Sequence, residues 1–365
     1  MCFYAFFAFV SLVNLAFMKR AKPPTHFGDR ESASDSQPCT LCVLIPARNE
    51  AENLRRLLPA LLGLGSDGAT KPKVYVFDDE SEDGTGDIAR ECGAIVIRPR
   101  EPLPKGWTGK NRACHELAKV ASEDSDAEWI LFLDADVYPE RGFVAGIEAL
   151  AKSVSRKTGV ISGFPRIISG EGIEPLFLAW VGWVLLATNP YGLVSLTGMG
   201  HNRFTNGQFG LWRSHVYSEL WPNETLKGRI LEDVLIGRLC ADKGIGVDVA
   251  NLSQVLAVKM YNTWRETLDG MSKNSYEITG SVPGSIGIAA LLMLIGWGWL
   301  LAGSFMPIAA GLFALSGVLC CGIVRAKPYG VPMLPVALAI GSFTILRSMA
   351  WHQSGRVTWK GRTYS

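Results

Sequence analysis

The chain has 365 residues, 48% hydrophobic and 19% charged, and its 36 Lys and Arg nearly balance its 34 Asp and Glu for a net charge of +2. That length admits one large domain or two ordinary ones, and the balanced charge, with no basic stripe carrying interleaved aromatics, argues against a nucleic-acid partner. Eight cysteines form no disulfide framework, and the one CxxC, Cys39–Cys42, enters a strand and lacks the second pair a zinc site needs.

From the N-terminus, Cys2–Met18 is apolar except for Ser11 and Asn14. As a helix it spans roughly 25 Å at ~1.5 Å per residue, just enough for a bilayer core. Its charges, Lys19, Arg20 and Lys22, follow the apolar run rather than precede it. A signal peptide has the reverse order, so 1–20 reads as a retained anchor with the following chain in the cytoplasm. A polar linker without periodicity covers 21–38. From 39 to 260 strands alternate with helices: strand "CVLIP", helix Glu50–Leu62, strand "VYVF", helix Gly84–Cys92, strand "AIVI", helix Thr108–Ala121, strand "WILFL" and helix Arg141–Lys152. This alternation predicts an α/β domain with a mostly parallel sheet covered on both faces. The apolar Pro175–Leu186 inside it reads either as a core helix or as an interfacial helix with Trp180 and Trp183 at headgroup level. Residues 261–281 read as an interfacial segment. No charge occurs between Val282 and Val324, which is length for two spanning helices, and Met333–Trp351 is a third candidate weakened by Arg347. The region 282–351 thus holds two or three spanning helices; with three the basic tail would lie outside, and two spans plus one interfacial or re-entrant segment fit the charge rule better. A basic tail covers 352–365.

Ligands of open parallel sheets bind at the carboxyl ends of the strands, and there the polar clusters fall. "DDESEDGTGDIA" contains Gly84-x-Gly86-x-x-Ala89, formally a dinucleotide fingerprint. Five carboxylates would crowd its pyrophosphate, so a nicotinamide cofactor is disfavoured. The same carboxylates suit hydrogen bonds from a base N–H or ribose hydroxyls. In "WILFLDADV", Asp134 and Asp136 are either a solvated turn or a pair approaching one hard cation, Mg²⁺ or Mn²⁺, that shares its coordination with phosphate oxygens. In "RILEDVLIGRLC", Glu232 and Asp233 open an amphipathic helix, either as a dipole-complementing pair or as a general base. His115, His201 and His215 are unpaired signals.

Taken in order, "PARNE", "FDDESEDGT", "DAD" and "EDVLIGRL" resemble the inverting family 2 glycosyltransferases with the GT-A fold, over roughly Cys39 to Val258. That resemblance implies a Rossmann-like catalytic domain at 39–260, with transmembrane helices before it and at 282–351. It further implies a UDP-sugar held by Pro46, Ala47, Arg48, Glu50 and Asp79, with Lys110 of "GWTGKNRA" near the nucleotide or sugar. It makes Asp134 and Asp136 the DxD pair, with Asp136 the direct metal ligand, and Asp233 the base beside Glu232. "KGWTGKNRACHELA", "NGQFGLWRSHVY" and "VTWKGRTYS" look like bacterial membrane glycosyltransferases of carotenoid pathways, of the diaponeurosporenoate and hydroxychlorobactene type; hopanoid-associated members are less similar. No QxxRW follows the ED pair, where the chain reads "YNTWRETLDG", which favours transfer of a single sugar over chain extension. The resemblance therefore implies a multi-pass enzyme of the cytoplasmic membrane that moves one sugar to a hydroxyl or carboxyl of a carotenoid- or terpenoid-like lipid. Asn206, Gly207 and Gln208 are expected on the acceptor or sugar side. The alternatives are an acceptor of the polyprenyl phosphate or glycerolipid class, and a non-catalytic membrane component that senses a nucleotide sugar.

Overall fold

The structure is a computed structural model and describes residues 1–24, 40–63, 71–168, 174–197, 202–261, 263–354, 358–359 and 362–363. Most of the linker, Cys39, His201 and most of "VTWKGRTYS" lie outside the described residues. In chain order the elements begin α1 (Cys2–Phe17), β1 (Leu41–Ala47), α2 (Ala51–Gly63), β2 (Lys73–Asp78), α3 (Thr85–Glu91), β3 (Ile95–Ile97) and α4 (Gly109–Asp124). They continue β4 (Trp129–Leu133), β5 (Val137–Pro139), α5 (Phe143–Ser153), β6 (Thr158–Phe164), β7 (Arg166–Ile167), α6 (Glu174–Thr188) and α7 (Tyr191–Thr197). Then come β8 (Phe209–Arg213), α8 (Ser214–Leu220), α9 (Pro222–Thr225), α10 (Glu232–Asp242), β9 (Gly246–Asn251), β10 (Leu256–Val258) and α11 (Trp264–Asn274). The chain ends with α12 (Val282–Trp297), α13 (Met306–Val324) and α14 (Leu334–Gln353).

Two compact units result: Met18–Arg166 with Val194–Val258, and Met1–Phe17 with Ile167–Leu193 and Lys259–Ser365. The first is the α/β unit, with a seven-stranded sheet in the order β3-β2-β1-β4-β8-β6-β9. β3, β2, β1 and β4 are parallel, β8 is antiparallel to both its neighbours, and β6 and β9 are parallel to each other. The central strands read as unbroken apolar runs because both faces are covered; all five residues of β4 are buried. Leu54, Leu57, Leu58 and Leu61 give α2 its buried stripe, each contributing about 1.5–3 kcal/mol by burial. On α4, Ala113, Cys114, Leu117, Ala118 and Ala121 join Leu44, Phe77 and Phe132 in one core cluster. The register sets Ala47 beside Asp78 and Leu44 beside Phe132, so the loops leaving β1, β2 and β4 open at one sheet edge.

The second unit is helical and apolar. Among the described residues four stretches, Pro175–Thr197, Val282–Leu301, Gly303–Val324 and Gly330–Gln353, are long and apolar enough to cross a membrane. α1 has 16 residues, about 24 Å at 1.5 Å per residue, short of a ~30 Å hydrocarbon core. The helix expected over Pro175–Leu186 is longer than its pattern indicated, because α7 resumes after a break at Asn189–Pro190. Trp180 and Trp183 are not headgroup anchors. Both are buried; Trp183 Nε1 donates to Ser316 Oγ at 2.9 Å, and a Cβ on Gly341 would come within 2.6 Å of the Trp180 ring. Close helix packing against these large rings draws them inward.

Candidate active site

The loops after β1 and β2 are stitched together. Asn49 N–H donates to Ser81 Oγ (3.0 Å), Glu82 N–H to Asn49 Oδ1 (2.9 Å) and Glu50 N–H to Thr85 Oγ1 (2.9 Å). Asp83 Oδ2 accepts from Ala51 N–H at 3.0 Å and so caps α2 from another loop. Burial pushes the Asp83 carboxyl upward, but the Thr85 and backbone hydrogen bonds outweigh it and hold the group below its ordinary range. Asp78, Asp79 and Glu80 each lie beside an arginine. Asp78 pairs with Arg98 Nε at 3.0 Å and accepts from Ser81 N–H at 3.1 Å. Arg48 donates to the Asp79 carbonyl at 3.0 Å, with its Nη1 3.8 Å from the Asp79 carboxylate and 3.7 Å from Glu80. The glycine of the apparent fingerprint serves this pairing: a Cβ on Gly86 would lie 2.4 Å from Asp78 Oδ2. Asp78 is thus a structural acid. Pro46, Ala47, Arg48, Glu50 and Asp79 gather at one edge, where the Glu50 carboxylate accepts from Asn53 Nδ2 at 2.6 Å.

A second cluster forms beyond β4. Lys110, in the first turn of α4, places Nζ 2.8 Å from Asp134 Oδ1, 3.1 Å from Asp134 Oδ2 and 3.5 Å from Glu232. Gly207 donates its N–H to Asp233 Oδ2 at 3.0 Å, and its carbonyl lies 3.5 Å from Lys110 Nζ. A Cβ there would come within 3.0 Å of Lys110 Nζ and 3.1 Å of Asp233 Oδ2, so a larger residue would press on both side chains. Asp233 Oδ1 accepts from Val234 N–H at 2.8 Å, and its carbonyl accepts from Thr205 Oγ1. Asn206 and Gln208 shape the turn: Asn206 Nδ2 donates to the Gly163 carbonyl at 3.1 Å, Gln208 N–H donates to Asn206 Oδ1 at 3.2 Å, and Asp134 N–H donates to the Gln208 carbonyl at 3.4 Å. Asp136 follows Asp134 in the turn into β5, whose Tyr138 ring lies 3.4 Å beneath the Arg56 guanidinium.

Burial pushes Glu232 up to about 7, with Lys110 pulling back and Asp233 adding to the rise. Burial likewise raises Asp233. Burial alone would depress Lys110, but Asp134 and Glu232 hold it well above its usual value. Lys110 therefore stays charged while the two adjacent acids titrate as a pair.

Among the described residues no group of three or more His, Cys, Asp or Glu is placed to hold a metal ion. The turn after β4 offers two carboxylates, Asp134 and Asp136. These hard oxygen donors fit Mg²⁺ or Mn²⁺ sharing coordination with phosphates, and not a structural zinc.

Residues 42–204 match the family model described as "Glycosyl transferase family 2". Residues 42–204 thus carry a family 2 glycosyltransferase domain, and the protein is a glycosyltransferase. It is 24% identical over 347 residues to the 4,4'-diaponeurosporenoate glycosyltransferase of Staphylococcus aureus (strain MRSA252), covering 89% of this chain and 88% of that enzyme. To the enzyme of the same name from Staphylococcus haemolyticus (strain JCSC1435) it is 29% identical over 189 residues, 51% of this chain and 47% of the relative. A mannosyltransferase from Pyrobaculum calidifontis, solved in complex with GDP-Man and Mn²⁺, aligns with a TM-score of 0.51 at 14% identity over 87% of this chain and 88% of its own. That likeness establishes the GT-A fold of this glycosyltransferase. The pattern reading missed Arg98, the partner of Asp78, and Asn111, which anchors the loop before Glu232. Asn111 did leave a signal, as a polar residue on the buried face of an amphipathic helix. His115 lies between Trp107 and Trp221, with ring centroids 5.4 and 5.0 Å away, in an aromatic cluster.

Proposed function

We propose that this glycosyltransferase moves one sugar from a UDP-sugar to a hydrophobic, carotenoid- or terpenoid-like lipid, with inversion and with a divalent cation at the DxD turn. The convergence of Lys110, Asp134, Glu232 and Asp233 at the carboxyl edge of β4 carries this reading. The donor lies along the loops after β1 and β2, with Asp79 and Arg48 toward the nucleoside. Lys110 occupies both oxygens of Asp134, which supports Asp136 as the direct metal ligand. A bound Mg²⁺ or Mn²⁺ supplies charge stabilisation for the departing diphosphate. Asp233 accepts the proton of an acceptor hydroxyl, the oxygen attacks the anomeric carbon, and the bond to the diphosphate breaks in the same displacement. The relatives' name favours a second acceptor type, a carboxylate. That group is already ionised and needs no base, and an acid pair with raised pKa repels it less.

Basic residues and helix directions support a multi-pass protein of the cytoplasmic membrane with the catalytic unit in the cytoplasm. α12 and α14 are antiparallel, with Ser342 bonded to the Ala289 carbonyl (3.0 Å) and Ser348 Oγ accepting from Tyr276 N–H (2.8 Å). α1 and α13 run in the same direction, with Tyr4 against Phe313 and Ser11 against Cys320. Lys19, Arg20, Arg325, Lys327 and Arg347 then fall on the side from which α12 starts, in keeping with the positive-inside tendency. The chain folds back after α13, so that a Cβ on Gly317 would lie 3.1 Å from Val331; this fits two spans and a re-entrant third segment.

The test is Asp233→Asn assayed with a hydroxylated and a carboxylated carotenoid. UDP binding is expected to be unchanged, and transfer to the hydroxyl acceptor to fall about 10²–10⁴-fold. Wild-type transfer to that acceptor would remove the base assignment. UDP-sugar binding without transfer to either acceptor by the wild type would favour a nucleotide-sugar sensor.

A further inference from the structure

α4 attaches to the acid pair at a second point that takes no part in the chemistry above. Next to Lys110, Asn111 is fully buried. Its Nδ2 donates to the carbonyls of Leu226 (3.0 Å), Lys227 (3.3 Å) and Arg229 (3.0 Å). Its Oδ1 accepts from Asn223 Nδ2 at 2.8 Å, and Asn223 Oδ1 accepts from Tyr217 O–H at 2.7 Å. Thr108, the N-cap of α4, accepts from Asn111 N–H at 3.2 Å, and its own N–H donates to the Lys227 carbonyl at 2.7 Å. Asn223 and Tyr217 are buried as well. Such a closed, satisfied network holds its members in one arrangement, and an isolated buried amide would be costly. Residues 226–231 lead directly into Glu232 and Asp233, so this network fixes where the acid pair begins.

We propose that Asn111 is a positioning residue: through the carbonyls of 226–229 it sets the Glu232–Asp233 pair in register with Lys110 and Asp134, so that one helix turn aligns both the donor side and the acceptor side of the transfer. The inference rests on the reading of Asp233 as the base. Two neighbouring side chains divide the work: Lys110 reaches the carboxylates, and Asn111 reaches the backbone that carries them. Neither Asn111 nor Tyr217 touches the reacting atoms, so their loss acts through displacement of the pair, and misplacement by about 1 Å costs on the order of a hundredfold in rate.

The experiment compares detergent-purified wild type, Asn111→Ala, Tyr217→Phe and Asp233→Asn. UDP titration counts folded sites, steady-state transfer gives kcat and donor KM with a UDP-sugar and hydroxylated carotenoid pair that turns over, and hydrogen exchange reports on 226–233. For Asn111→Ala, kcat per UDP-binding site is expected to fall about 10–100-fold, with donor KM within about twofold and faster exchange confined to 226–233. Tyr217→Phe, the milder change, is expected to show the same pattern with a smaller loss, and decides the matter should Asn111→Ala not fold. An unchanged kcat per site with unchanged exchange, or a loss of UDP affinity in parallel with kcat, overturns the proposal. Full transfer by Asp233→Asn defeats the base reading instead, whereas an inactive Asp233→Asn beside a normal Asn111→Ala defeats the positioning role alone.

Discussion

The two units of this glycosyltransferase distribute polarity in opposite ways. In the α/β unit the central strands are apolar and the acids at the sheet edge are paired: Asp78 with Arg98, Asp79 with Arg48, and Asp134 and Glu232 with Lys110. In the helical unit Phe6, Phe9, Leu291, Leu294, Leu301 and Phe343 are exposed, while Ser11, Asn14, Ser316 and Ser348 are completely buried. Asn14 satisfies its polar atoms inside, donating to the Leu186 and Asn189 carbonyls (both 2.8 Å) and accepting from Gly192 N–H (2.7 Å). Small and polar residues inside with large apolar residues outside is the arrangement of a unit whose solvent is lipid. The same rule, that buried polar groups must be bonded, therefore builds a charged site in one unit and a helix-to-helix lock in the other.

Four changes test that contrast, in order of expected effect. Asp136→Ala, or metal removal by chelation, is expected to lower transfer by about a hundredfold or more, since a Lewis acid contributes several kcal/mol to the leaving group. Membrane residence should not change, and activity that persists after both treatments would remove the metal from the account. Leu291→Lys places a charge on the outward face of α12 and is expected to cost about 2.5–3.5 kcal/mol of insertion. It would be read as carbonate-extractable protein, and full membrane retention would mean that this face does not meet lipid. Asn14→Leu removes the side-chain donor to the Leu186 and Asn189 carbonyls, the second of which keeps Tyr191 N–H, and leaves Gly192 N–H without its side-chain acceptor, at about 1–3 kcal/mol; a lower Tm in detergent is expected while donor KM holds. The smallest effect is on pH. Asp233 and Glu232 are both raised by burial, so a base at Asp233 would lose its working, deprotonated form while the pH is still above the ordinary carboxylate value of about 4. With a hydroxyl acceptor the acid limb of kcat/KM is therefore expected between about 4 and the value of about 7 reached by Glu232, and a limb below 4 would contradict the burial of the pair.

How much of this was legible in the sequence depends on how local the signal is. β1, β2, β4 and their helices follow from short-range alternation, and the clusters "PARNE", "DDESEDGT" and "DAD" do lie at neighbouring strand ends. β8 was not legible as an antiparallel strand, because "FGLWR" has no distinguishing period and its place between β4 and β6 is a tertiary fact. The roles of Asp78 and Gly86 were hidden for the same reason: Arg98, which explains both, lies 20 residues on. Ser11 and Asn14 were visible as the two interruptions of an apolar run, three residues apart and so on one helix face, which the structure turns inward. The length of α6 with α7 was obscured by Asn189–Pro190, which reads as a stop. Lys110 stood out within "GWTGKNRA", but that it joins Asp134 to Glu232 depends on contacts across 24 and 122 residues.

The most direct measurement of the central claim is the product itself. Purified enzyme in detergent, with Mn²⁺, a panel of UDP-sugars and a carotenoid-containing lipid extract, should add the mass of one sugar to a carotenoid-class lipid and release one UDP. Sugar found instead on a water-soluble acceptor or on polyprenyl phosphate, or added as a growing oligomer, would contradict the account.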